Sequence, residues 1–448
     1  MHQSPSNTTQ FRQRIASSRT RPISACNVPE ATQDRPFNGF RTARTTNAHA
    51  VVLDVRKQVQ AFEMHRIRSR ARRPKDQASF ERQIEALVCD LAHREITKPG
   101  AWLAVPFSKQ VLGRKNRYHA PVLRETLPDV IQHMASPEME FIEIIKGAHN
   151  PFDPEHSRQT VIRAGSRLRD RILDHHLGIE DFDLDQTQEI IVLKDAKGGH
   201  WDDGEWLQYE DTEQTRAYRT QLRQINDWLE QAVIEHVSSD KTPSRVDTTD
   251  LRLRRYFNDN SFELGGRLFG GFWMSMSREM RKGIVIDGMD TVTVDYGQMI
   301  LRLLYALAGV NPEFKDGYRI PGLEGYRDGV KKVLSSLLYK TKPQKRMPAG
   351  LRELFPARIS YANVVEKIME HHPAVSEFLY TKTGPKLTYM ESEILLLVLT
   401  KLNEKGITAL PIHDAVIVPD VHQEDTMQVM LDVFKQVTSI DGVVSLDE

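Results

Sequence analysis

The sequence predicts an α+β chain built from more than one folded unit, and three observations carry that expectation. At 448 residues the chain is about three times a typical ~150-residue domain. Short alternating runs such as Thr291–Val294 and Leu410–Val418 read as strands joined by turns, whereas spacings of three and four, as at Tyr218, Leu222, Ile225 and Leu229, read as helices. Forty per cent of the residues are hydrophobic, enough for a core, yet the longest apolar run, Ile394 to Leu399, is too short to span a bilayer.

Composition excludes several classes. Lys+Arg and Asp+Glu each total 61, a net charge of zero that by itself argues against a nucleic-acid binder. The sum conceals an uneven distribution: residues 1–75 hold fifteen Lys/Arg against four Asp/Glu, a local +11, so residues 76–448 carry −11. Two cysteines, Cys26 and Cys89, are too few for a disulfide framework and fit a reducing compartment. No apolar signal segment opens the chain, although the acid-free, Ser/Thr/Arg-rich residues 1–29 also fit a mitochondrial leader.

Taken in order, residues 1–50 lack periodicity and read as a disordered basic tail. Residues 51–180 read as a helical docking domain. Its first helix, from Val51 through Arg73, ends in the run Arg66, Arg68, Arg70, Arg72, Arg73, either a solvated face or a phosphate-binding one. Val122 to Met134 has helical spacing, and Phe141–Ile145 with Gln159–Arg163 alternates like a hairpin, so this stretch resembles a winged helix-turn-helix. The basic loop Gly113-Arg114-Lys115-Asn116-Arg117-Tyr118-His119 before that helix suits contact with backbone phosphates. Residues 181–250 are expected to hold one long helix, Glu210 to Val237, with Tyr218, Leu222, Ile225, Trp228, Leu229 and Val233 as its buried stripe, followed by a polar linker, Ser239 to Asp250.

The chemistry concentrates in residues 251–448. The strand Thr291–Val294 delivers Asp295 to a strand-to-helix corner, and a helix from Gln298 to Ala308 closes at Gly309. Further on, by 119 residues, Asp414 occupies the turn of a hairpin, Leu410 to Pro419, beside His413. Two carboxylates on adjacent strand ends can hold a pair of Mg²⁺ ions about 3.5–4 Å apart. Between them, Arg327, Lys331, Ser335 and Tyr339 are four apart and share one broad helix face, which suits a triphosphate and a stacked base or sugar, or else solvent alone.

In this order the three blocks resemble the signature motifs of family A DNA polymerases and of the related single-subunit phage-type RNA polymerases. Asp295-Tyr296-Gly297-Gln298-Met299-Ile300-Leu301-Arg302 resembles the family's Asp-Tyr-Ser-Gln-Ile-Glu-Leu-Arg, with five of eight positions identical. Arg327-x3-Lys331-x7-Tyr339 has the spacing of the fingers helix, and His413-Asp414 that of the palm hairpin. Upstream, Gly266-Arg267-Leu268 resembles the Thr-Gly-Arg-Leu segment. Glu391-Ser392-Glu393, opening an apolar helix, falls where the family has its template-side helix.

The resemblance covers roughly residues 250–440. It implies a right-hand palm of antiparallel sheet and helices with small fingers, the 181–250 helix serving as thumb. It further implies that Asp295 and Asp414 ligate two Mg²⁺ ions, with Mn²⁺ able to substitute. Lys331 would protonate the leaving phosphates as the third catalytic residue, and Arg327 would grip the triphosphate. Tyr339, Ile300 and Gln298 would line the nucleotide, while Arg267, His413 and Arg302 would touch primer or template. The implied partners are a DNA primer-template and nucleoside triphosphates, with no membrane, in a cytoplasmic, nucleoid-associated setting. The expected reaction is template-dependent addition of nucleotides to a 3′-hydroxyl without a proofreading exonuclease; the alternatives are a replication-initiation protein with a relic palm, or an RNA polymerase or primase.

Departures from the family pattern bear on mechanism. Ile300 stands where the family's DNA polymerases have the Glu that blocks a ribose 2′-hydroxyl, and Ala415 follows Asp414 in place of Glu. Ser335 and Lys340 replace an aromatic residue and a glycine of the fingers helix. No Gly-Lys-Ser/Thr phosphate loop occurs, and the pairs His175-His176 and His371-His372 lack metal-ligand spacing and read as surface or capping residues.

Overall fold

The computed structural model describes residues 35–113, 116–148, 158–196, 204–237, 246–348 and 350–447. Most of the expected basic tail, most of the expected linker Ser239 to Asp250, Arg114 and Lys115 lie outside them. The fold is mixed α+β with largely antiparallel sheets. Among the described residues no helix is long and apolar enough to cross a membrane.

The chain divides into two compact units, one of Met1–Gly39, Asn47–Gly113 and Arg124–His176, the other of Phe40–Thr46, Arg114–Leu123 and Leu177–Glu448. Regular structure begins earlier than the composition of residues 1–50 suggests, with strands Arg35–Pro36 and Arg41–Ala43 and a helix Thr46–Arg66. The boundary expected near 250 is absent, because the strands that follow it pair with strands that precede it.

In the first unit the helices Thr46–Arg66 and Pro74–Thr97 bury Val51, Val55, Phe80, Ile84 and Leu87. The hairpin predicted over 141–163 forms, as Ile142–Ile145 against Thr160–Ala164. It is not an isolated wing, since Thr160–Ala164 also pairs with Leu103–Val105, itself parallel to Arg35–Pro36, in one four-stranded sheet. The basic run is not a continuous helix end either. Its helix stops at Arg66, and Arg72 turns inward, ion-paired with buried Glu63 and stacked 3.7 Å over the Phe80 ring.

In the second unit a sheet of order Leu410–Ile412, Ala415–Pro419, Met289–Tyr296, Ile284–Ile286, Ile234–His236 has the C-terminal strand Val444–Leu446 also paired to Met289–Tyr296. Every residue of Ala415–Pro419 is buried, as befits a strand covered on both faces. A three-stranded sheet joins Gly265–Gly270, Leu253–Phe257 and Ile191–Leu193. The expected 210–237 helix runs only from Glu213 to Leu229, capped by the Thr212 hydroxyl, which accepts from the Thr215 N–H. Tyr218, Leu222, Ile225 and Leu229 form its buried stripe. Val233 is 59% exposed and lies outside that stripe, because Ile234–His236 leaves the helix to pair with Ile284–Ile286. Those backbone bonds come from residues some fifty positions away, which local periodicity does not register.

Candidate active site

Asp295 and Asp414 are brought together by register. Met289–Tyr296 and Ala415–Pro419 are antiparallel, with Asp295 directly opposite Ala415, so Asp414 is the next residue along the hairpin. The Tyr296 N–H donates to the Asp414 carbonyl at 3.3 Å and extends the ladder into the turn. That turn has two residues, between Ile412 and Ala415, and its first, His413, has φ +56°. Positive φ suits a tight hairpin but is costly for a residue with a Cβ, and such strain is typically retained at working sites. Two bonds hold the surroundings: the Trp273 indole N–H donates to the Pro411 carbonyl at 2.8 Å, and the Tyr296 hydroxyl to the Met430 carbonyl at 2.6 Å.

The electrostatics identify what faces what. Burial, then the negative charges of Asp414 and Asp447, push the Asp295 carboxyl up to about 7, while Lys331 pulls it down. Lys331 is exposed on the helix Arg327–Leu337 and acts electrostatically on Asp295. Such a crowded carboxylate pair suits hard divalent cations with oxygen preference, Mg²⁺ or Mn²⁺, since bound positive charge relieves both desolvation and repulsion. Among the described residues no group of three or more His, Cys, Asp or Glu is gathered as a metal cage.

Arg267 also reaches this place. Its guanidinium donates to Glu391 at 2.8 and 3.1 Å, and Glu391, Tyr339 and Asp414 together raise its pKa despite its burial. Burial raises the Glu391 carboxyl in turn, against the pull of Arg267. Glu391 does not open its helix as the sequence suggests; that helix starts a turn or more earlier, at Gly384, and runs to Glu404. His413 titrates below a free imidazole, through partial desolvation and the cations Arg267 and Arg281, with Asp414 opposing. Tyr339 lies just beyond its helix, 53% exposed, its hydroxyl 3.2 Å from that of Thr388 and its ring against Gly384.

Other sequence-predicted residues have different surroundings. Arg327 is ion-paired with Asp316 at 2.7 Å and with Asp328 at 3.4 Å, and is not free for a triphosphate in this state. Gln298, with φ +60° at the helix start, spends its amide on the loop opposite: Nε2 donates to the Lys315 carbonyl at 2.8 Å, and Oε1 accepts from the Gly317 N–H at 2.7 Å. His372 grips the same loop; it caps the helix Tyr361–His371, one of the two roles expected, and is buried rather than at the surface. Its Nε2 lies 2.7 Å from the Gly317 carbonyl, and burial pushes its pKa down to about 4. Gln298 and His372 are thereby positioning residues for the loop that carries Asp316. Arg302 is buried, donating to the Asp441 carbonyl at 2.8 Å, which removes it from any nucleic-acid surface. Ile300 is half-buried against the core and offers no polar contact. Arg117, the described cation of the predicted phosphate-contacting loop, is occupied by Asp211 at 2.9 Å and stacked 3.6 Å over Tyr209.

Two residues were not singled out by the sequence. Asp447 follows Val444–Leu446, donates its N–H to the Thr293 carbonyl at 2.9 Å, and is ion-paired with Arg278. The run Val444-Ser445-Leu446-Asp447 repeats the alternation before Asp295, which was the available signal. Asp316 carries no motif at all. Compared with models of protein families and with curated proteins, the chain matches none.

Proposed function

We propose that the chain is a template-dependent nucleotidyltransferase of the family A polymerase type, whose second unit supplies a palm and small fingers and extends a primer 3′-hydroxyl with nucleoside triphosphates. The observation that carries this reading is the register that sets Asp295 beside Asp414 with Lys331 in electrostatic reach. Two bound divalent cations would lower the pKa of the attacking hydroxyl and neutralise the leaving pyrophosphate.

The chain's own residues then have definite tasks. Asp295 and Asp414 hold the metals and stay ionised once positive charge is present. Lys331 stabilises and protonates the leaving phosphate oxygen, as a mobile ammonium at the site edge can. Arg327 exchanges Asp316 for the triphosphate tail, a swap between two anionic partners that costs little charge separation. Tyr339 offers its exposed ring to the incoming base or sugar. Arg267 and His413 approach the primer end, with Glu391 fixing the guanidinium.

Ile300 supplies no carboxylate against a 2′-hydroxyl, so both sugars are to be compared. The test is incorporation on a DNA template with Mg²⁺, with dNTPs and NTPs in separate reactions, primed and unprimed. Primed extension supports the reading. Extension with NTPs from unprimed template moves it to a primase, and no incorporation in any arm returns the chain to a DNA-binding protein with an inactive palm.

A further inference from the structure

Beside the candidate active site, the sheet Leu253–Phe257 with Gly265–Gly270 has two unlike faces. The inner face carries Leu253, Arg255 and Phe257, all fully buried, with Arg255 neutralised by Glu393. The outer face alternates cation and ring: Arg254 is opposite Phe269, and Arg267 is opposite Tyr256. Phe269 is 44% exposed, and its ring meets Tyr256 edge-on at 5.3 Å. Tyr256 in turn meets Trp206, 41% exposed, at 6.1 Å, and the Lys194 ammonium sits 5.3 Å above the Tyr256 ring. Among the described residues Gly265–Gly270 is the edge strand of its sheet.

Leaving large rings in water forfeits hydrophobic burial, and leaving cations without partners beside them keeps any protein core from covering the patch cheaply. Among the described residues Arg254 and Lys194 enter no ion pair, in contrast to Arg255 behind them. Rings about 5–6 Å apart, interleaved with cations that no carboxylate holds, match the two requirements of unpaired nucleotides: a π-face for each base and positive charge along the backbone.

We propose that this face binds single-stranded nucleic acid, its bases stacking on Phe269, Tyr256 and Trp206 and its phosphates meeting Arg254 and Lys194. A duplex, whose bases are already stacked on one another, gains little from the rings. The inference rests on the polymerase reading only for the idea that this strand is continuous with one held at Arg267; the binding itself does not require catalysis.

The test uses the full chain and a fluorescein-labelled 20-nucleotide oligo-dT, with a blunt duplex of equal length beside it, titrated by anisotropy over a series of salt concentrations. Phe269→Ala is expected to weaken the single strand by about five- to a hundred-fold, the loss associated with one stacked base, and to change duplex affinity much less. Phe269→Trp restores binding, which separates stacking from a folding defect. Arg254→Ala weakens binding and lowers the slope of log affinity against log salt by about 0.7. The proposal is overturned if the wild type does not bind the oligonucleotide, if Phe269→Ala binds as well as wild type, if Phe269→Trp loses as much as Phe269→Ala, or if single strand and duplex lose in equal proportion. Asp414→Asn, expected to abolish incorporation, should bind the oligonucleotide like wild type. An inactive wild type that still binds through Phe269 would therefore overturn the polymerase reading and leave this one standing.

Discussion

The backbone N–H of Tyr296 and the carbonyl of Asp414 are joined across 3.3 Å, and this bond ties the end of one strand to the turn of its neighbour. It makes the approach of the Asp295 and Asp414 carboxylates a property of the ladder rather than of flexible side chains. Burial first, and then the like charges so held, raise the Asp295 pKa to about 7.

Removing that charge should stabilise the metal-free protein. Because the folded-state value lies above the unfolded one, Asp295 contributes stability at low pH that is lost as pH rises from about 4 through about 7. Asp295→Asn should therefore melt higher than wild type above pH 7, by on the order of 1–2 kcal/mol after discounting for solvent screening, with the difference shrinking toward pH 4. Thermal melts in EDTA at pH 5 and pH 8 check this; a difference that grows on acidification would contradict it.

Metal affinity should carry the same signature in reverse. Below about pH 7 protons compete with the cation for Asp295, so Mn²⁺ binding measured by calorimetry should weaken by up to about ten-fold per pH unit between 7 and 5 and level off above 8. A flat profile would remove Asp295 from the metal site.

Tyr339 is predicted to depend on a glycine. A Cβ at Gly384 would lie 2.7 Å from the Tyr339 ring, so Gly384→Ala must displace that ring. The expected result is a rise of roughly ten-fold, about 1.4 kcal/mol, in the KM for nucleotide, with the melting temperature little changed. An unchanged KM would show that the ring does not line the nucleotide.

The Arg267–Glu391 pair should behave as a coupled unit, its carboxylate buried and its guanidinium 37% exposed. Glu391→Leu leaves Arg267 without its partner and is expected to cost on the order of 1–2 kcal/mol, since water reaches part of the guanidinium, whereas Arg267→Met with Glu391→Leu together should cost less than the sum of the two single changes. Denaturant titrations of the four proteins close that cycle.

What could be read from the sequence was what local pattern encodes. The strand into Asp295, the helix closed by Gly309 in the left-handed conformation, and the two-residue turn at His413-Asp414 each depend on a few neighbouring residues, and each forms. Residues whose surroundings depend on distant partners were not legible. Arg302 matches a motif position but is buried because residue 441 folds over it, and Gln298 faces a loop about seventeen residues away. Arg327 has the right spacing for a triphosphate, yet Asp316 holds it, and no spacing rule links those two positions. Asp447 is a weaker case: the alternation that leads into it spans only a three-residue strand, a signal present but short.

Whether Asp295 and Asp414 together carry nucleotide addition is decided by primer extension with wild type and Asp414→Asn on one DNA template with Mg²⁺, both proteins first matched for folding by circular dichroism. The wild type is expected to extend the primer and the variant to lose about a thousand-fold or more, as removal of a group that would hold a catalytic metal should cost. Equal extension by the two proteins, or none by the wild type with either class of nucleotide, would contradict that expectation.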